Sequence, residues 1–137
     1  MIVRCIAQKP TNEQAFRLGP LYEPGRTDYA LALGNRYVAL GLHCLSTGVI
    51  WVELASEGGW PQTVPLFLFE IVDPRTSRYW EGRFGADGSF SLAPPPFHES
   101  DFASLVADNE PQAELAYNRY RQLLEAEALE KADLHAH

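Results

Sequence analysis

The 137-residue sequence has few of the features that mark exported, membrane-spanning or disulfide-stapled proteins. It contains two cysteines, Cys5 and Cys44, and we expect both thiols to be free and reduced. No window approaches the run of about 18 apolar residues that a membrane span needs. The apolar stretch at the N-terminus is too short for a signal peptide, so the sequence predicts a cytoplasmic protein without membrane contact.

Positive charge is scarce and scattered along the chain. Eleven Lys and Arg residues stand against eighteen Asp and Glu residues, which gives a formal net charge of −7. Only Arg75, Arg78 and Arg83 lie near one another, and there is no basic run. Proteins that bind nucleic acid gain affinity from cations that neutralise phosphates, so the sequence argues against a nucleic-acid partner.

Catalytic and metal-binding signatures are also missing from the sequence. There is no nucleophile elbow, HExxH pair or phosphate loop. His43 and Cys44 are adjacent on a predicted strand and therefore point to opposite faces, unlike the spaced ligand pairs of zinc sites. Glu53 and Glu70 could lie on neighbouring strands of one sheet, as glycosidase carboxylates do, but a solvated outer face explains them better. We assign no catalytic residue, metal or cofactor from the sequence.

Negative charge is concentrated near the C-terminus. Residues 98–137 carry nine carboxylates and three Lys or Arg side chains, a net charge of −6, whereas residues 1–97 carry −1. Pro94-Pro95-Pro96 separates the two parts, and period-two patterning gives way to helical spacing after it. The sequence predicts a β-barrel domain over residues 1–97 and an acidic helical extension over residues 98–137 that packs on it.

The first part reads as short strands joined by turns, as ten Gly and ten Pro residues also favour. The predicted strands cover Ile2–Ala7, Tyr29–Leu33, Arg36–Leu45, Val49–Ala55 and Thr63–Asp73, followed by a hairpin of Tyr79–Phe84 and Ser89–Leu92. Pro65 places the start of the fifth strand at an edge or a bulge. The predicted class is mainly β (α+β): a small SH3-like or open antiparallel barrel followed by C-terminal helices.

Three helices are predicted outside these strands. In a long connection over residues 9–28, Asn12 is a candidate cap for a short helix over Glu13–Leu18, with Gly19 as its stop. Ser100 is a candidate cap for a helix over Asp101–Ala107, and Asn109 and Pro111 open a longer one. The last helix has an apolar stripe that must bury against other residues, formed by Ala113, Ala116, Tyr117, Tyr120, Leu123, Leu124 and Ala128.

Aromatic residues near strand ends and turns are the best candidates for partner binding. They are Trp51, Trp60, Tyr79 and Trp80, since exposed Trp and Tyr often anchor interfaces. Trp60 is the strongest candidate for exposure, because Gly-Gly-Trp-Pro cannot form a buried central strand. Three carboxylates that lie off the apolar stripe would form an acidic rim around these anchors: Glu114, Glu125 and Glu127.

Three segments resemble a group of short, largely uncharacterised bacterial SH3-like-barrel proteins. The segments are LGNRYVALGL at Leu33–Leu42, WVEL at Trp51–Leu54 and PLFLFEIVD at Pro65–Asp73. Some members of that group are encoded among polymorphic toxin and immunity genes. The resemblance covers roughly residues 1–80. It implies a small barrel fold and an association with toxin and immunity genes, and it implies no catalytic residues.

These observations predict a non-enzymatic cytosolic protein-binding domain, specifically an immunity protein that neutralises a basic toxin. Acidic side chains on a rigid scaffold accelerate association with a basic partner. Two other interpretations remain open. One is a small-ligand-binding or enzymatic barrel whose mouth is lined by Trp51, Trp60 and Trp80. The other is a homodimer formed through the C-terminal helix.

Overall fold

The structure is a computed structural model that describes residues 1–18 and 29–135. Within those residues there are eight β-strands, three α-helices and two short 3₁₀ turns. The strands are β1 Ile2–Cys5, β2 Arg36–Val38, β3 Gly41–Cys44, β4 Ile50–Ala55, β5 Pro61–Pro65, β6 Phe69–Asp73, β7 Glu81–Phe84 and β8 Phe90–Ala93. The helices are α1 Asn12–Leu18, α2 Phe102–Ala107 and α3 Pro111–His135, and the 3₁₀ turns cover Leu66–Leu68 and Pro95–His98.

The predicted class, antiparallel strands followed by C-terminal helices, is confirmed. The strands form two antiparallel sheets and not a closed barrel. One sheet has three strands in the order β2-β1-β6, and the other has five in the order β5-β4-β3-β8-β7. The hairpin predicted around Gly85-Ala86-Asp87-Gly88 is present as β7 and β8.

The prediction of one strand over Arg36–Leu45 is wrong, because the chain changes sheets in the middle of that segment. The Ala39 N–H donates to the Met1 carbonyl at 3.0 Å, and the next N–H, of Leu40, donates to the Glu53 carbonyl at 2.8 Å. Two consecutive residues thus bond to strands of different sheets. Alternation in the sequence continues through such a crossing, so periodicity alone does not reveal it.

A second crossing divides the predicted strand Thr63–Asp73. Pro65 has no N–H to donate and closes β5 at the edge of the five-stranded sheet, where the sequence predicted an edge or a bulge. The 3₁₀ turn over Leu66–Leu68 then carries the chain to β6 in the other sheet. The predicted strand Tyr29–Leu33 does not form, and Ala30 has a left-handed backbone with φ of 50° that interrupts an extended chain.

The first helix is capped by Thr11 and not by Asn12. The Gln14 N–H donates to Thr11 Oγ1 at 3.2 Å, and the Thr11 N–H donates to Gln14 Oε1 at 2.9 Å, which is a capping box. The predicted stop at Gly19 and most of the connection over residues 9–28 lie outside the described residues. Ser100 is also not the cap of α2, because Asp101 occupies that position without a side-chain hydrogen bond.

Asn109 and Glu110 join α2 to α3. Asn109 has φ of 59°, its N–H donates to the Val106 carbonyl, and the Glu110 N–H donates to the Leu105 carbonyl, which together form a Schellman motif. The Glu110 carboxylate then accepts from the Ala113 N–H at 2.8 Å and caps α3, with Pro111 in the first turn. These local bonds hold α3 at a fixed angle to α2.

Buried residues form two hydrophobic layers on opposite sides of the five-stranded sheet. The inter-sheet layer lies between the two sheets and includes Val3, Val52, Leu54, Val64 and Leu68. The helix layer lies between the other side of the five-stranded sheet and the C-terminal helices. It includes Leu40, Ala93, Phe97, Phe102, Val106, Tyr117 and Leu124. Among the described helices, none is long and apolar enough to cross a bilayer.

Candidate functional site

A notch of about 180 Å³ opens where the β4–β5 hairpin meets α3. We call it the Trp60 notch. The lining includes Gly59, Trp60, Glu114, Tyr117 and Arg121. The notch brings together Trp60 and Glu114, which the sequence analysis named as an aromatic anchor and an acidic rim residue.

Trp60 is held at the notch by a tight turn. The Ser56 N–H donates to the Trp60 carbonyl at 2.8 Å, and the Trp60 N–H donates to Ser56 Oγ at 3.1 Å. Gly59 has φ of 87°, and a Cβ there would lie 3.1 Å from Nη1 of Arg121. The left-handed backbone favours glycine at this position, and any larger residue would also have to displace the end of the Arg121 side chain. The indole projects from this rigid turn and Trp60 remains 46% exposed, which confirms its predicted exposure.

Arg121 is the cation of the notch, and it is already paired. Its Nε donates to Glu125 Oε1 at 3.0 Å, one helical turn further along α3. Glu114, by contrast, is exposed and forms no ion pair within the described residues. The Glu114 carboxylate is therefore available to a ligand, whereas the Arg121 guanidinium already has a partner.

Two oxygens of the helix layer form no hydrogen bond within the described residues. Tyr117 is 2% exposed, and its hydroxyl is one of them; the other is Oε2 of Glu53, which is also buried. Burial raises the pKa of Tyr117 to about 12, and the Glu53 and Glu125 carboxylates add to the rise against the opposing effect of Arg121. Buried polar atoms usually have partners, so these exceptions mark the helix layer as unusual.

Glu53 belongs to a polar row on the helix-facing side of the sheet. His43 Nδ1 lies 3.0 Å from Ser91 Oγ, and His43 Nε2 lies 3.7 Å from Glu53 Oε2. These residue types occur in nucleophilic catalysis, but the His43–Glu53 separation exceeds hydrogen-bond range. Strands flank Ser91 on both sides, so its backbone belongs to the sheet ladder. The row therefore places His43 beside Glu53 without a hydrogen bond between them.

The prediction that Glu53 faces solvent is wrong. Glu53 is 6% exposed, and its carboxylate lies close to Gly41, where a Cβ would be 3.3 Å from Oε2. Glu70 is exposed and pairs with Arg4, but it is on β6 in the other sheet. The two carboxylates are thus not neighbours on one sheet. The missed signal is that Glu53 alternates with Trp51 and Ala55 on a side of the sheet that the apolar stripe of α3 needs to cover.

The other predicted aromatic anchors are less exposed than Trp60. Trp51 is half-buried with an unpartnered buried indole nitrogen. Trp80 is half-buried and donates from its indole to the Leu40 carbonyl at 2.9 Å, and Tyr79 is half-buried beside Arg78. Of the three tryptophans, Trp60 alone lines the Trp60 notch. The three tryptophans Trp51, Trp60 and Trp80, which were expected to line one barrel mouth, therefore do not line this notch together.

Among the predicted acidic contacts, Glu114 is exposed and Glu125 is half-buried in its pair with Arg121. The prediction that Glu127 belongs to an exposed acidic rim is wrong, because Glu127 is 3% exposed. Its Oε2 accepts from the Arg78 N–H at 3.1 Å and lies 3.6 Å from Arg78 Nε. Glu127 follows Leu124 by three residues, and this places it on the buried side of α3.

The apolar stripe of α3 packs within its own chain. Tyr117 and Leu124 are buried in the helix layer, and Tyr120 contacts the same layer through Phe97. A dimer surface built from these three residues is therefore not available. The exposed apolar residues of the helix are Leu115 and Leu129 instead.

A larger apolar groove, which sequence reasoning missed, lies on the far side of the molecule. It has a volume of about 690 Å³ and lies between the β3–β4 turn, the 3₁₀ turn after β5, and β6. Ile50, Leu66, Phe67, Phe69 and Ile71 provide its apolar wall, and Arg17 is its charged residue. The chain crossing at Leu66–Leu68 creates this groove, and that crossing was hidden in the sequence pattern.

Both cysteines are free, as predicted. Cys5 is buried in the inter-sheet layer, and burial raises the pKa of its thiol, which makes it a poor nucleophile. Among the described residues, no group of three or more His, Cys, Asp or Glu side chains could hold a metal ion.

Comparison of the chain with protein-family models, with curated proteins and with solved structures finds no match. The functional argument therefore depends on the geometry of the chain itself.

Proposed function

We propose that this protein is a non-enzymatic, cytosolic protein-binding domain whose partner presents a basic surface. The specific form that we propose is an immunity protein that neutralises a basic toxin. The following observations support a basic protein partner.

The single observation that carries the proposal is the position of Trp60. A tryptophan that is 46% exposed on a hydrogen-bonded turn exposes a large rigid surface at little cost in conformational entropy on binding. It lies beside α3 and shares the notch with Glu114. An aromatic anchor with charged residues around it is the usual anatomy of a binding hot spot.

Exposed acidic side chains in and next to the C-terminal helices support a basic partner. Asp101, Asp108 and Glu114 are exposed, and none forms an ion pair within the described residues. The net charge of −6 over residues 98–137 adds a long-range attraction for cations. Such a field raises the association rate more than it raises the affinity.

The proposal is tested by capturing partners from the native host with immobilised protein and identifying them by mass spectrometry. We expect one basic protein to be retained by wild type and lost from the Trp60→Ala variant. Phe84→Ala is the matched control, because Phe84 is 85% exposed on the β7–β8 hairpin and not at the notch. Equal retention by all three proteins would contradict the role of Trp60.

The apolar groove favours a second candidate function, the binding of a small apolar ligand. Its volume of about 690 Å³ lies within the range of about 300–1,000 Å³ that is usual for ligand sites. Ile71→Glu should abolish the binding of a fluorescent apolar probe and leave capture of the protein partner unchanged. Loss of both activities in this variant would mean that the groove and the notch are not independent.

Homodimerisation through α3 is a third candidate, and the exposed side chains of Leu115 and Leu129 favour it. Light scattering over a range of concentrations tests it. A dimer in wild type that dissociates in a Leu115→Ser, Leu129→Ser variant would support this candidate, and a monomer at all concentrations would exclude it.

A further inference from the structure

The Trp60 notch is too small for a metabolite and the right size for one side chain. Its volume of about 180 Å³ is below the range of about 300–1,000 Å³ that is common for small-molecule sites. A notch of this kind in a protein-binding face takes an anchor residue from the partner. The question is then which chemistry the anchor must have.

Charge at the notch favours a cation. Glu114 lines the notch without an ion pair among the described residues, and Arg121, the cation of the lining, donates to Glu125. The Glu114 carboxylate is therefore the charge of the lining that is not compensated locally.

An unpartnered oxygen in the lining points the same way. The Tyr117 hydroxyl lines the notch, is buried and has no hydrogen-bond partner among the described residues. A lining with an unpartnered hydroxyl and an unpaired carboxylate favours a ligand that brings several N–H groups.

The aromatic wall narrows the choice between the two cationic side chains. Trp60 offers a flat indole face, and guanidinium groups stack on such faces more readily than ammonium groups do. A guanidinium can also donate to a carboxylate while it stacks, since its five N–H groups lie in one plane. A lysine ammonium has no planar surface to place against the indole.

We infer that the Trp60 notch receives one arginine side chain of the partner protein, stacked on Trp60 and bonded to Glu114. This inference rests on the proposed function and names the partner chemistry of the same site. It identifies the hot spot of the interface as a guanidinium-binding notch and not as the whole acidic surface of α3.

The test uses the whole protein and a small probe, Nα-acetyl-arginine methylamide, observed by NMR at the Trp60 indole N–H. That resonance is assigned by its loss in the Trp60→Phe variant. We expect a saturable shift with a Kd on the order of millimolar, as is usual for a single side chain. Glu114→Gln should weaken the probe about threefold, and Glu130→Gln, the matched exposed carboxylate at the other end of α3, should not.

Two further probes exclude rival chemistries. Nα-acetyl-citrulline methylamide has nearly the same shape without the charge, and we expect no saturable shift from it. Inorganic phosphate tests whether Arg121 makes the notch an anion site. A shift that is equal for citrulline and arginine, a shift from phosphate in place of arginine, or no shift from arginine would each overturn the inference.

The result separates this inference from the proposed function. If a partner is captured through Trp60 while the arginine probe does not bind, the notch inference fails and the binding function stands. If the arginine probe binds as expected while no partner depends on Trp60, the notch has the inferred chemistry and the proposed function fails.

Discussion

The two layers that flank the five-stranded sheet differ in how completely they are hydrophobic. The inter-sheet layer buries aliphatic and aromatic side chains from both sheets, including Val3, Val52 and Leu54. The helix layer buries a comparable set, but two buried carboxylates, Glu53 and Glu127, and an unpartnered tyrosine hydroxyl lie on the same side of the sheet. Buried polar groups that interrupt a hydrophobic layer tend to occur at functional sites. The Trp60 notch opens on the helix layer.

The largest expected effect concerns the buried carboxylate of α3. Replacing Glu127 by Lys places a cation where Oε2 accepts the Arg78 N–H and lies beside the Arg78 guanidinium. Burial of an unpaired charge next to a like charge should lower the free energy of unfolding by about 4 kcal/mol. Urea unfolding followed by circular dichroism measures it.

Glu114→Lys is the matched control on the same helix, because Glu114 is exposed. Its unfolding free energy should change by less than about 0.5 kcal/mol. If the two reversals were equally tolerated, the contrast between the buried and exposed carboxylates of α3 would be wrong.

A smaller effect concerns the edge of the three-stranded sheet, where the polar groups are fully bonded. Asp73 accepts from the Arg75 N–H and Nε at 3.0 Å and from its Nη2 at 2.7 Å, and these bonds hold the pKa of Asp73 well below its usual range. Asp73→Asn should cost about 1.5 kcal/mol of unfolding free energy at pH 7.

The pH dependence of the stability lost in Asp73→Asn follows from the direction of the Asp73 pKa shift. Because the pKa in the folded state lies below the unfolded value of about 3.9, the stabilisation by Asp73 is complete at neutral pH. It is lost as the pH falls below about 4 toward the folded value. Urea titrations at pH 7 and pH 3 should therefore show a smaller difference between wild type and Asp73→Asn at pH 3. A difference that stays constant would contradict the ion pair.

The smallest expected effect has the opposite sign. Glu53→Gln keeps the shape of the side chain and removes a charge whose Oε2 is buried without a hydrogen bond and lies 3.7 Å from His43 Nε2. The unfolding free energy should rise by about 1 kcal/mol, since a buried carboxylate oxygen without a hydrogen bond carries a desolvation cost. Thermal and urea unfolding measure the change, and a clear loss of stability would show that the contact with His43 is a stabilising ion pair.

Local pattern was enough to predict the class of fold, the β7–β8 hairpin and the long C-terminal helix. It failed where the chain crosses between sheets, at Ala39–Leu40 and at Leu66–Leu68, because alternation continues when the hydrogen-bond partner changes. The apolar groove follows from the second crossing and was therefore missed as well. These failures concern long-range pairing, which a sequence pattern does not encode.

The candidate site was predicted only in part, for a related reason. Gly-Gly-Trp-Pro indicated exposure of Trp60 because the glycines fix a turn locally. The burial of Glu127 depends on which side of α3 contacts Arg78, 49 residues away. The burial of Glu53 depends on α3 covering one side of the sheet. Alternation with Trp51 and spacing from Leu124 give the side on which each carboxylate lies, but the residues that cover that side are distant in the sequence.

The central claim is that Trp60 anchors a basic partner that the acidic side chains attract. The measurement that tests it most directly is the association and dissociation kinetics of the captured partner at several salt concentrations, for wild type, Glu114→Lys and Trp60→Ala. We predict that association slows with added salt and in Glu114→Lys, since exposed charges are screened once the Debye length falls to about 8 Å. Trp60→Ala should instead speed dissociation. An association rate that depends neither on salt nor on Glu114, with a dissociation rate unchanged in Trp60→Ala, would contradict the account.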